Sequence, residues 1–151
     1  MTNTMTAPQG TQARVLIVDD DHSTRLLCSI NLQLDGFTVL EAADGLGALE
    51  QALSDCPDLV LTDVHMPALD GFQLAEALRS DSRTRQVPLI FLTSDTTSAN
   101  EARAKALGAL AYVTKPFDPA TLGAFITGTL ALARKRAESS PRLTPDETGN
   151  E

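Results

Sequence analysis

Five short apolar runs alternate along the chain with five stretches whose apolar residues recur at helical spacing. The runs are Val15-Leu16-Ile17-Val18, Phe37 to Ala42, Leu59-Val60-Leu61-Thr62, Pro88 to Thr93, and Ala111-Tyr112-Val113-Thr114. The continuous runs Val15–Val18 and Leu59–Thr62, bounded by turn residues, fit strands buried on both faces, and the other three read as strands beside them. Between them, Leu26, Leu27, Ile30 and Leu34 predict a helix from a Ser23/Thr24 start to a Gly36 stop. Leu46, Leu49 and Leu53 form the stripe of a second helix that Asp44 caps. A third covers 71–79 with Phe72, Leu74, Ala75 and Leu78, and an alanine-rich fourth covers 98–107 before Gly108. Asp118 and Pro119 open the last, which carries Leu122, Phe125, Ile126, Leu130 and Leu132.

Strict alternation of strand and helix predicts an α/β fold, a doubly wound five-stranded parallel sheet with helices on both faces. In such sheets the loops at the carboxyl edge of the strands form one crevice, and ligands bind there.

The chain has 151 residues, 42% of them hydrophobic, which is enough for one ordinary core and one domain. That domain is expected over 14–137. The polar lead 1–13 and the Ser/Pro/Thr/acid tail 138–151 are expected to be disordered. Asp and Glu number 20 against 12 Lys and Arg, a net charge of −8, so nucleic acid and anionic membrane are not expected partners. Cys28 and Cys56 have no metal-site spacing, and reduced thiols in a cytoplasmic protein are the expectation. No basic, apolar leader opens the chain, and no apolar run is long enough to span a bilayer.

What stands at the strand ends carries the chemistry. The first strand delivers Asp19 and Asp20, the third Asp63, the fourth Thr93 and Ser94, and the fifth Lys115. Three carboxylates on one edge repel one another unless a cation sits among them, and a few all-oxygen ligands suit Mg²⁺. Hydroxyls and an ammonium match the oxygens of a phosphoryl group. An acidic metal site beside phosphate-binding groups reads as phosphoryl chemistry with an aspartate nucleophile.

These pieces together resemble the receiver domain of two-component response regulators, in particular its single-domain, chemotaxis-regulator-like members. The resemblance rests on the apolar strand plus Asp19-Asp20, Asp63 followed by Met66-Pro67 and Asp70-Gly71, Thr93-Ser94, and Lys115-Pro116-Phe117, and it covers about Arg14 to Arg136. It implies a flavodoxin-like sheet and a stand-alone phosphoacceptor, not an enzyme in the usual sense, with Mg²⁺-dependent self-phosphorylation and self-dephosphorylation.

By the same resemblance Asp63 takes a phosphoryl group from the phosphohistidine of a sensor histidine kinase or phosphotransfer protein. Asp20, Asp63 and the backbone carbonyl of His65 ligate Mg²⁺, with Asp19 acting largely through water. Lys115 and Thr93 meet the phosphoryl oxygens, with Ser94 beside them. Tyr112 swings inward behind Thr93, and Lys115-Pro116 is cis. The altered face, 98–107 with 111–114 and 119–136, would dock a downstream protein or a second copy of the chain.

Three rival readings draw on the same residues. A haloacid-dehalogenase-type phosphatase would use Asp19 with Asp21, but it leaves Asp63 and Thr93-Ser94 without a role. A flavodoxin-like electron carrier would want a hydroxyl- and glycine-rich loop where this chain has three acids. A constitutive protein-docking module would not need the full set of acids, hydroxyls and lysine.

Overall fold

The computed structural model describes residues 13–139. Five strands, β1 (Arg14–Val18), β2 (Thr38–Ala42), β3 (Leu59–Thr62), β4 (Leu89–Thr93) and β5 (Ala111–Thr114), form one parallel sheet in the order β2-β1-β3-β4-β5. Five helices connect and cover them: α1 (His22–Leu34), α2 (Gly45–Asp55), α3 (Gly71–Arg79), α4 (Ser98–Ala106) and α5 (Leu122–Ser139), the last entered by a 3-10 turn, Pro119–Thr121. The expected fold class is the observed one. The expected lead and tail lie outside the described residues, except that the Ala13 carbonyl accepts from Thr38 and α5 continues to Ser139.

Strand alternation divides the core into two layers. Leu16, Val18, Val60, Leu89 and Phe91 face one way, with Phe72, Leu74, Ala75 and Leu78 of α3 and Ala48 and Ala52 of α2. Val15, Ile17, Leu59, Leu61, Ile90 and Leu92 face the other, against Cys28 and Leu32 of α1 and Leu122 and Ile126 of α5. Every residue of β3 and β4 is buried, as a strand covered on both faces must be.

The helices expected from apolar spacing exist, but α1 buries a different side and α2 is turned so that Leu49 of its expected stripe packs half-buried against the core while Leu46 does not. In α1 the buried residues are Cys28, Ser29 and Leu32, while Leu26, Leu27, Ile30 and Leu34 are 45%, 50%, 46% and 79% exposed. The two apolar sets are offset by two positions, about 200° around a helix, so spacing alone could not choose between them. Asp21 caps α1 rather than Ser23 or Thr24, and Gly36, at φ 94°, ends the turn that follows it.

In α2 the buried face is Gly45, Ala48 and Ala52, and Leu46 is 59% exposed. Close approach requires the glycine: a β-carbon on Gly45 would stand 2.3 Å from the carbonyl oxygen of Leu69. The face of α3 is the expected one, and Asp70 with Gln73 closes a capping box at its start.

Candidate functional site

Parallel register brings the acids level. Val18 pairs with Thr62, so the next residues, Asp19 and Asp63, leave the sheet side by side, and the Asp63 amide donates to the Val18 carbonyl at 3.0 Å. Thr93 pairs with Thr114, and the Lys115 amide donates to the Thr93 carbonyl at 2.8 Å. A cis bond joins Lys115 to Pro116 at the point where β5 ends.

Carboxylate oxygens of Asp19, Asp20 and Asp63 lie within 4.8 Å of one another. Asp19 is 3% exposed, Asp63 half-buried and Asp20 exposed. Lys115 Nζ donates to Asp19 Oδ2 at 2.9 Å and to Asp63 Oδ2 at 3.0 Å, so one ammonium spans the ends of β1 and β3. The opposite oxygens are held by backbone: the Asp21 amide donates to Asp19 Oδ1 at 2.9 Å and the Val64 amide to Asp63 Oδ1 at 2.6 Å. Arg25, from α1, donates to the Asp19 carbonyl at 2.7 Å and to Glu41 at 3.1 Å, which ties the acidic loop to β2.

Burial raises the Asp19 carboxyl above its ordinary value, against the hydrogen bonds from Lys115 and the Asp21 amide that pull it down. Burial alone would lower Lys115. Its hydrogen bonds to Asp19 and Asp63 reverse the sign and leave it raised, firmly an ammonium at neutral pH. Three ionised carboxylates less one ammonium leave two negative charges beside an open crevice. The donors are all hard oxygens, and Asp20 is turned to solvent, so the residues fit a divalent cation that keeps part of its water, as Mg²⁺ does.

Thr93 is fully buried, and its Oγ1 accepts from the Asp95 amide at 3.2 Å. Ser94, the next residue, is exposed. Tyr112 is half-buried against Phe91, its ring centroid 6.2 Å from that of the phenylalanine, and its hydroxyl donates to the Asp95 carbonyl at 2.7 Å. His65 stands at the rim, and its Nε2 is 2.6 Å from Asp95 Oδ2. The edge brings Asp19, Asp20, Asp63, His65, Thr93, Ser94 and Lys115 together, and Tyr112 reaches it from within β5 through the Asp95 carbonyl.

Asp21 stays apart: its carboxylate accepts from the Thr24 amide at 3.0 Å and caps α1. The pairing of Asp19 with Asp21 that a phosphatase would use thus loses its second acid. Asp95 and Arg25 were missed. Asp95 had a signal, an acid two residues past the strand-end threonine and two before the N-cap Thr97, but it is also an ordinary way to open a helix.

A family model for the response regulator receiver domain matches residues 15–127. The chain belongs to this family. It is a receiver domain of two-component signalling. Among curated proteins the receiver is 37% identical over 119 residues to the protein PilH of Pseudomonas aeruginosa, covering 79% of this chain and 98% of PilH. It is 41% identical over 119 residues to the transcriptional regulatory protein CseB of Streptomyces coelicolor, covering 79% of this chain and 50% of CseB. The DNA-binding regulator RpaA of Synechocystis is 39% identical over 105 residues, with 70% of this chain and 44% of RpaA covered. The receiver thus spans about half the length of these longer regulators.

Among solved structures, chemotaxis protein CheY4 of Vibrio cholerae matches with a TM-score of 0.74 at 37% identity, over 78% of this chain and 98% of that one. A CheY-like receiver of Methanospirillum hungatei matches with a TM-score of 0.75 at 27% identity, over 83% of this chain and 98% of its own. Receiver domains bind Mg²⁺ at an acidic cluster, and Asp19, Asp20 and Asp63 form such a cluster here. Among the described residues, no helix is long and apolar enough to cross a membrane.

Proposed function

We propose that an oxygen of Asp63 accepts a phosphoryl group from a phosphohistidine on a sensor histidine kinase or phosphotransfer protein. The observation that carries this is the Lys115 ammonium spanning Asp19 and Asp63, with Asp20 within 4.8 Å. The carboxylate attacks phosphorus in line; the new O–P bond forms as the N–P bond breaks, and the departing imidazole keeps the electron pair and takes a proton from solvent.

The chain's own groups act by position and charge. Lys115, already 3.0 Å from Asp63, turns to the phosphoryl oxygens once the carboxylate has become an acyl phosphate. Thr93 meets the same oxygens with its hydroxyl, and Ser94 lies beside it at the strand end. Asp20, Asp63 and the carbonyl of His65 would hold Mg²⁺, with Asp19 acting through water. The ion would supply positive charge to the phosphoryl oxygens in both transfer and hydrolysis. Loss of the group by attack of water makes the protein a self-resetting phosphoacceptor rather than an enzyme with an external substrate.

Phosphorylation is proposed to alter the face of α4, β5 and α5. Two features support it. Ala104 is the one buried residue of α4, so that helix is lightly anchored, and β5 is a half-buried edge strand carrying Tyr112. A downstream protein or a second copy of the chain would dock there. Nucleic acid and membrane are not proposed as partners of this domain, given the chain's net charge of −8. The stand-alone arrangement is proposed by likeness to PilH and CheY4, each matched over 98% of its length, and the cytoplasm by the need to meet a kinase.

The test is incubation with acetyl phosphate and Mg²⁺ followed by intact-mass measurement. One added phosphoryl group in wild type and none in Asp63→Asn supports the proposal. An unlabelled wild type, or an Asp63→Asn chain that labels equally, overturns it.

A further inference from the structure

Asp95 takes no part in the phosphoryl chemistry above, yet it is the crossing point of three elements. Its carboxylate accepts from the Thr97 amide at 2.9 Å, Thr97 Oγ1 at 2.6 Å and Asn100 Nδ2 at 2.6 Å, all at the start of α4. Its amide donates to Thr93, and its carbonyl accepts from Tyr112. The remaining contact comes from the opposite bank of the crevice, where His65 follows β3.

The hydrogen bonds from Thr97, and then that from His65, hold the Asp95 carboxyl well below the usual carboxylate range. An ionised carboxylate only accepts, so His65 Nε2 must be the donor. With that bond the backbone of the β4–α4 loop is fixed from both sides. Without it, the Asp95 carboxylate is held by Thr97 and Asn100 alone, at the start of the helix with a single buried residue.

We propose that the His65–Asp95 hydrogen bond is a latch across the mouth of the site, holding the β4–α4 loop where the Asp95 carbonyl receives the Tyr112 hydroxyl. His65 is then a positioning residue that biases Tyr112 before any phosphoryl group arrives. That Tyr112 is the output switch rests on the proposed function; the latch itself does not.

Tyr112 is the single tyrosine of the chain and there is no tryptophan, so fluorotyrosine incorporation gives one ¹⁹F resonance that reports this ring alone. The spectrum is recorded without phosphodonor or Mg²⁺. His65→Ala should move the ring's population ratio toward the solvent-facing state by about threefold, the scale of one side-chain hydrogen bond at the surface. His65→Gln, whose side-chain amide can still donate, should restore the wild-type position. In an Asp95→Ala background His65→Ala should change nothing further.

An unmoved resonance in His65→Ala overturns the latch. So does a shift that His65→Gln fails to rescue, because His65 would then act by bulk alone, or one that persists undiminished in the Asp95→Ala background. Since no phosphoryl group is present, any of these results leaves the role of Asp63 standing, and an unlabelled Asp63 would leave the latch standing.

Discussion

Gly71 lies so close beneath Asp63 that a β-carbon on it would stand 2.1 Å from the Asp63 carbonyl oxygen. The first residue of α3 is thus packed against the Asp63 backbone, and the Gly71 amide donates to the Val64 carbonyl at 2.7 Å. Gly71→Ala must push that backbone away. A cost of about 1–3 kcal/mol is expected from overpacking, read as a lower denaturation midpoint. Labelling by acetyl phosphate should fall further than stability does, because the carboxylate is displaced relative to Lys115. A Gly71→Ala chain with wild-type stability and labelling would contradict the packing described.

Carboxylate repulsion and its relief make the metal site testable without any phosphodonor. Millimolar Mg²⁺ should raise the melting temperature of the wild-type chain, since a ligand that binds only the folded state stabilises it by mass action. Asp20→Asn should shrink that increment while leaving the metal-free protein as stable or more so, because one of three mutually repelling charges is gone. Calorimetry with and without Mg²⁺ decides it. An unchanged increment in Asp20→Asn removes Asp20 from the site.

Alkaline pH should weaken the fold through two groups. Lys115 is raised above the ordinary lysine value of 10.5 because its bonds to Asp19 and Asp63 outweigh burial. Tyr112 is raised above 10.0, first by burial and then by the charge of Asp95. In both cases the folded chain keeps a proton that the unfolded chain has released. Their contribution is therefore complete below those values and is lost as pH rises through and past them. Urea midpoints measured from about pH 8 to 11 should fall at the upper end, and less steeply in Lys115→Met. A midpoint that rises across that window has the wrong sign for this arrangement.

The two apolar sets of α1 give a direct check on which side is buried. Leu32 is fully buried and Leu34 is 79% exposed. Leu32→Ala should cost about 2–5 kcal/mol, as other buried leucine truncations do. Leu34→Ala should stay within about 0.5 kcal/mol of wild type, as surface changes do. Comparable losses at both positions would mean that α1 is rotated from the orientation seen here.

Much of this molecule was legible in the order of its residues. Strands buried on both faces are written as plain apolar runs, and in a parallel sheet their last residues share one edge, so Asp19, Asp63, Thr93 and Lys115 could be brought together without coordinates. What could not be read was rotation and reach. The exposed Leu26, Leu27, Ile30 and Leu34 look as much like a core stripe as the buried Cys28 and Leu32 do, and only the sheet decides between them. Gly45 sits on the buried face of α2 because the Leu69 backbone is too near for anything larger, which spacing does not show. The bond from His65 to Asp95 crosses thirty positions of sequence between two loops, and neither loop carries a period.

The most direct test of the account is the chemical position of the phosphoryl group. Wild-type protein treated with acetyl phosphate and Mg²⁺, then reduced with borohydride, should yield a homoserine at a single aspartate, which peptide mass spectrometry can place. The account requires that residue to be Asp63. Homoserine at Asp19 or Asp20, or an acid-labile phosphoryl group on His65 with Asp63 unchanged, would contradict it.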